Sequence, residues 1–373
     1  MRKTHINKFL MDKDDFNNLI ILLLEDGYKM LGPKISESAI IYDEIKSVHD
    51  FPIGFTDEQT PGSYKIKKIN DETFFSYAVG PHSWKKYLFP PHEKLWEAKY
   101  DKSGLQIKEE KPKEEKLAFI GVRACELNAI KIQDKVFVKG NFINPIYQQR
   151  RENIFIVAVN CSTPAKTCFC TSMNTGPKAD EGFDLSLTEI LKDNEHYFLI
   201  ESGSKKGTEI LKKLSFSKAT KENIEAEKKV IENTIENINK FVNTKNIKEL
   251  FYKNYENSHW EEVAEKCLAC ANCTMVCPTC FCSTVEDVTD LTGEHAERWQ
   301  KWDSCFTMDF SYIHGGSVRS SISSRYRQWI THKFATWIDQ FGSSGCVGCG
   351  RCITWCPVGI DVTEEIKSLQ KHK

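Results

Sequence analysis

Six cysteines fall within the sixteen residues CLACANCTMVCPTCFC, Cys267 to Cys282, and the spacing of the first four returns in CVGCGRCITWCP, Cys346 to Pro357. Both copies read C-x2-C-x2-C-x3-C-P. An iron–sulfur cube has four iron corners, each needing one thiolate, and three cysteines two residues apart can wrap three corners from one tight loop. In two-cluster ferredoxins the fourth cysteine of this pattern ligates the other cluster. That rule groups Cys267, Cys270 and Cys273 with Cys356, and Cys346, Cys349 and Cys352 with Cys277. Two [4Fe–4S] clusters would then tie the halves together. Proline after the fourth cysteine turns the chain away, because it cannot continue a helix without strain. Gly345, Gly348 and Gly350 are expected to let the second loop approach closely, since glycine tolerates positive φ. Structural zinc is the alternative, as two C-x2-C pairs would serve it. Zinc loops usually stop at two cysteines, however, and the third cysteine and C-P ending occur in both copies.

Seven thiols remain. Cys125, Cys161, Cys168 and Cys170 make a second ligand set of four, and thus an expected third iron–sulfur site. The competing reading is buried structural cysteine, a common core residue. Against it, the two cysteines of TCFC lie one residue apart and would crowd one spot in an extended segment. Cys280, Cys282 and Cys305 form a further candidate set with one corner open to His295, His314, Asp303, water or another cysteine. A lone histidine is more often core or surface than ligand, so neither histidine is favoured. TCFC occurs at both 167–170 and 279–282, which fits two similar sites or one shared site. Arg319, Arg325 and Arg327 could offset a cluster's negative charge or bind a partner's carboxylate; equally, they could form a solvated helix face over packed aromatics. There is no P-loop, no G-x-G-x-x-G at a strand–helix junction and no CxxCH. The pattern is that of conductors without a catalytic centre.

The elements that must position these thiols can be read in outline. KLAFIGV (116–122) is an apolar run of strand length that breaks at RACE into a helix carrying Leu127, Ile130, Ile132 and Val136. NIFIVAV (153–159) is a second buried strand, ending in NCSTPAKTCFC. If both belong to one parallel sheet, Cys125 and Cys161 leave it at the carboxyl edge, where open α/β sheets build their sites. Leu19 to Leu24 reads as part of a buried helix. The charged stretch 102–116 reads as a solvated loop. Residues 218–265 read as connecting helices, with Ile224, Val230, Ile231, Ile235, Ile238 and Val242 at helical intervals. The expected fold is α+β. An α/β domain over 1–250 is followed over 251–373 by a mainly helical domain, which contains a two-cluster ferredoxin-like module interrupted by an insertion at 278–345.

Composition narrows the functions. Apolar residues are 40%, charged residues 28%, and the net charge is −1, so a nucleic-acid partner is not indicated. No run approaches the roughly 18 apolar residues of a membrane span. The basic start lacks a cleavage site. A cytoplasmic location follows, where clustered cysteines hold metal or do redox chemistry more often than they form disulfides.

The stretches GVRACELNAIKIQDKVF, NCSTPAKTCFCTSMNTGP, CANCTMVCPTCFC, DVTDLTGEHAERWQKWDSCF and GCVGCGRCITWCPVGID, spanning residues 121–361, resemble the iron–sulfur β subunit of cytoplasmic [NiFe] sulfhydrogenases and the related A subunit of anaerobic sulfite reductase. The resemblance implies an electron-transfer subunit. Its implied partners are a FAD-binding NAD(P)H reductase subunit and either the small and large [NiFe] hydrogenase subunits or a sirohaem subunit. Two readings compete with a relay: a sulfur-reducing site of the chain's own near Cys280, Cys282 and Cys305, and a zinc protein that mediates assembly.

Overall fold

The computed structural model describes residues 8–110, 114–192 and 195–371. The first residues of the basic start therefore lie outside the described part. The fold is mixed α/β, organised around an eight-stranded sheet. In spatial order its strands are Ser217–Lys218, Lys8–Asp12, Glu195–Ser202, Leu185–Lys192, Ile154–Val159, Leu117–Val122, Lys29–Ser36 and Ala39–Glu44. The pairings that join Lys29–Ser36, Leu117–Val122, Ile154–Val159 and Leu185–Lys192 are parallel, and the outer ones antiparallel.

Strands Leu117–Val122 and Ile154–Val159 are buried throughout, as the centre of a sheet covered on both faces must be. Ala118, Ile120, Phe155 and Val157 face the helix Asp15–Glu25, which buries Phe16, Leu19, Ile20 and Leu23. Phe119, Ile154, Ile156 and Ala158 face the helix Ala124–Phe137. Gly121, at φ 87°, sits where the register shifts between Ile120 and Val122. Such a bulge re-aims the chain, here just before Arg123 and Cys125.

A second sheet pairs Gly104–Glu109, His92–Asp101, His295–Trp302 and Ser283–Thr289 in that order. It corrects the expectation of a loop over 102–116, of which residues 111–113 lie outside the described part. Leu105 and Ile107 alternate with Gln106 and Lys108 but remain exposed, so the strand is set by its partner rather than by burial. This sheet joins residues before and after position 250, and position 250 itself lies within the helix Ile247–Lys253.

The helical periodicity expected as far as Val242 stops at Glu236. Ile224 and Ile235 are exposed, and the helix Lys221–Glu236 is anchored instead by Ala226, Val230 and a buried ion pair between Glu227 and Lys8. Val242 and Ile247 join a separate core with Phe251, Trp260, Tyr326, Phe334, Ile366 and Leu369. Within that core the helix Ile322–Thr331 continues through a π turn, His332–Thr336, into Trp337–Phe341. Among the described residues no helix is long and apolar enough to cross a membrane.

Candidate metal centres

The two cysteine loops have the same backbone. Ala269 and Ala271 in the first (φ 50° and 65°) match Gly348 and Gly350 in the second (φ 65° and 75°), all left-handed. Each loop then enters a one-turn helix, Asn272–Met275 or Arg351–Thr354. The turns aim backbone donors at sulfur: Ala269 N–H donates to Cys267 Sγ and Gly348 N–H to Cys346 Sγ, both at 3.4 Å, and Ile360 N–H to Cys356 Sγ at 3.3 Å.

These loops enclose two cavities. One is lined by Cys267, Cys270, Cys273 and Cys356; the other by Cys346, Cys349 and Cys277. Cys352 and Trp329 line both, so the cavities adjoin. Cys356 thus lines a cavity with the first loop's thiols and Cys277 one with the second loop's, while Cys352 reaches both. Tyr326 and Trp329 in their walls keep a buried hydroxyl and a buried indole N–H without partners, a donor set suited to a sulfur-rich anion. Burial pushes the Cys346 thiol up to about 12 and the Cys273 and Cys352 thiols well above their ordinary range. Such thiols stay protonated until a cation makes thiolate favourable. The expected role of Gly345 is corrected: it lacks a positive φ, and what it provides is space, since a Cβ there would lie 2.4 Å from the Trp337 ring.

The N-terminal thiols lie against the second loop. Cys125 begins the helix Ala124–Phe137 and Cys161 follows the strand Ile154–Val159, at one edge of the parallel sheet. The loop after Cys161 brings Cys168 and Cys170 back: Phe169 N–H donates to Gly348 O at 2.8 Å, Thr175 Oγ1 to Val347 O at 2.6 Å, and Cys168 Sγ lies 3.8 Å from Cys349 O. Burial, then the nearby Cys349, Glu126, Cys170 and Cys161, raise the Cys125 thiol well above its usual range. Burial and the neighbouring thiols likewise raise Cys168 and push Cys170 up to about 12. Arg351, fully buried, donates from Nη2 to Glu126 Oε1 at 2.5 Å, and its Nη1 has no partner. Cys349 and Cys125 are both close enough to act on this guanidinium. An unpartnered guanidinium N–H near Cys125 and Cys349 is a donor suited to a thiolate or sulfide.

The last trio lies around two buried lysines. Cys282 and Cys305 leave the ends of the hairpin strands Ser283–Thr289 and His295–Trp302, closed by Asp303 N–H donating to Cys282 O at 2.9 Å. Their thiols are in hydrogen-bonding contact, which lowers Cys282 and raises Cys305. Contact with Cys280 lowers Cys277, helped by Lys333 and Thr279. His295 lies at the far end of the hairpin, beside Glu97 and Glu297, and His314 is exposed in a turn. Asp303 is adjacent, but its Oδ1 accepts from Ser304 N–H and Thr307 Oγ1, both at 2.7 Å.

The arginines do not form a solvated face. Arg325 is buried with Nη1 donating to Phe306 O at 2.7 Å, and Arg327 pairs with Glu256 and stacks 4.1 Å from the Tyr255 ring. Arg319 is half-buried after the hairpin turn. Sequence reasoning missed Lys85, Lys333 and Glu126. Arg351 could have been suspected, because it sits between two ligand-spaced cysteines.

Spacing also bears on zinc. Thiolates on one tetrahedral zinc ion lie about 3.8 Å apart, given Zn–S of about 2.3 Å. Among the described residues the group with three potential ligand atoms mutually within 4.8 Å is Glu97, His295 and Glu297, and Lys94 already pairs with both glutamates. No cysteine trio among the described residues meets that limit.

Comparison with known proteins points the same way. Residues 266–360 match the 4Fe-4S dicluster domain family. The chain is 33% identical over 313 residues to sulfhydrogenase 2 subunit beta of Pyrococcus furiosus, an alignment covering 82% of this chain and 89% of that protein.

Proposed function

This chain belongs to the family of sulfhydrogenase iron–sulfur β subunits, and on that premise we propose that it relays electrons between a FAD-binding NAD(P)H reductase subunit and the subunits carrying a [NiFe] metal. A [4Fe–4S] cluster, when bound, supplies one-electron transfer, so two-electron chemistry belongs to a flavin or metal on neighbouring subunits. Cys267, Cys270, Cys273 and Cys356 would hold one cluster, and Cys346, Cys349, Cys352 and Cys277 the second. Cys125, Cys161, Cys168 and Cys170 would hold a third. Ala269, Gly348 and Ile360 would stabilise the charged thiolates through their backbone N–H groups, and Tyr326 and Trp329 would exclude water.

The observation that carries this reading is the pair of adjoining cavities, in which the fourth cysteine of each loop lines a cavity with the first three of the other and Cys352 reaches both. The relative matched favours a hydrogenase assembly over one with a sirohaem subunit.

Iron counting and electron paramagnetic resonance (EPR) on the anaerobically isolated chain test it. Native protein should contain about eight or more irons, and Cys346→Ala about four fewer. Cys277→Ala should abolish the same signal as Cys346→Ala, and Cys356→Ala the other. If Cys277→Ala and Cys267→Ala instead share a signal, the crosswise assignment is wrong.

A further inference from the structure

Lys85 and Lys333 are each only 4% exposed. Lys85 Nζ donates to Cys280 O at 3.1 Å and lies 3.6 Å from the Trp302 ring centroid. Lys333, carried inward on the π turn, donates to Thr279 Oγ1 at 2.7 Å and Gly345 O at 3.1 Å. Neither has a carboxylate partner among the described residues. A buried cation without a counter-charge is strongly disfavoured, so the anion must come from what surrounds the two ammoniums.

Those surroundings are thiols. Cys277, Cys280 and Cys346 act on Lys333, and Cys280, Cys277 and Cys282 on Lys85. A cluster on Cys346 and Cys277 would answer Lys333. The same cluster would reach Lys85 only through Cys277, whereas the nearest thiol influence on Lys85 is Cys280, which no cluster above uses. The sulfur spacing is informative too. Among the described residues Cys280, Cys282 and Cys305 are not all within 4.8 Å of one another. A single ion would draw in all three, so the set suits a centre with more than one metal atom.

We propose that Cys280, Cys282 and Cys305 hold a further polynuclear iron–sulfur centre, distinct from the three thiol sets above, with Lys85 supplying counter-charge to it and Lys333 lying between it and the cluster of the second loop. The proposal rests on the relay reading only in taking iron and sulfide as the chain's metal chemistry. Three thiolates leave at least one coordination position to a ligand other than cysteine.

The test is iron and acid-labile sulfide content of the full chain isolated without oxygen, with EPR potentiometry. Cys280→Ser and Cys305→Ser should each lower iron by about two or more per chain while keeping the signal that Cys346→Ala removes. Unchanged iron and sulfide in both variants overturns the centre. Lys85→Met keeps every thiol; it should at least halve occupancy of this centre or move its midpoint potential more negative. Unchanged occupancy and potential overturns the charge matching. If Cys346→Ala itself leaves iron unchanged, the relay assignment fails, whereas loss in Cys346→Ala without loss in the trio variants sinks the further centre alone.

Discussion

In the first cysteine loop Leu268 is 62% exposed; its counterpart in the second, Val347, is 2% exposed. Cys270 is exposed where Cys349 is buried. Both loops make the same left-handed turns, so the cysteine spacing dictates the backbone without dictating the residue. Alanine suffices at 269 and 271. Glycine stands at 348 and 350 because a Cβ there would lie 2.6 Å from Phe169 O or 2.4 Å from Thr167 O. The glycines therefore record a neighbour, the thiol loop 167–170, rather than a dihedral angle. The first loop is the one turned towards solvent, and the second is the one that other thiols are built upon.

Matched substitutions in the two loops sharpen that contrast. The largest difference is expected one residue past the second turn. Arg351→Met removes the ion-pair partner of the buried Glu126, which keeps hydrogen bonds from Tyr42, Trp84 and Arg123 N–H, and should cost about 3 kcal/mol. The equivalent Asn272→Ala, which loses a 3.3 Å bond to Trp355 O at an exposed position, should cost under about 1 kcal/mol. Urea midpoints of the two anaerobic variants compare them; equal losses would mean the second loop's burial carries no special weight.

Next in size, Gly350→Ala should cost about 2–4 kcal/mol through overpacking and strain. Ala271→Gly should move stability by no more than about 1 kcal/mol, since a residue at positive φ is being relieved. Thermal melts decide it, and a tolerated Gly350→Ala would break the comparison.

The smallest effect is on pH. His82 packs beside the second loop, where Arg351 Nη2 donates to its carbonyl at 2.9 Å, and burial, aided by Lys86, holds its imidazole below the usual range. The unfolded chain then takes up the proton first, so stability present above about pH 6.5 is lost as pH falls. For a partly buried group the loss should stay under about 1 kcal/mol. His82→Asn should flatten the slope of stability between pH 7.5 and 5.5 (roughly the range of histidine titration) relative to the native chain; an identical slope would exclude His82 as its source.

Features written in local sequence were legible. The repeated cysteine spacing, the strands Leu117–Val122 and Ile154–Val159 and their common edge follow from periodicity and from metal chemistry. Features created by distant partners were not. Gly104–Glu109 looks like a charged loop because both its faces meet water, and only pairing with His92–Asp101 makes it a strand. Lys85, Lys333 and Arg325 look like surface residues because burial of a cation depends on what is brought to meet it. The helix Lys221–Glu236 buries Glu227 and exposes Ile224, reversing its apolar pattern, because Lys8 waits on the sheet edge.

Cys168 and the carbonyl of Cys349 that covers it are 181 residues apart in the chain. At about 5–20 residues per second of synthesis, the first of these thiols leaves the ribosome some ten to forty seconds before its cover exists. Through that interval it is open to oxidants and to stray metal ions. If these thiols hold the cluster proposed for them, their site is complete only once the second loop has emerged to cover it.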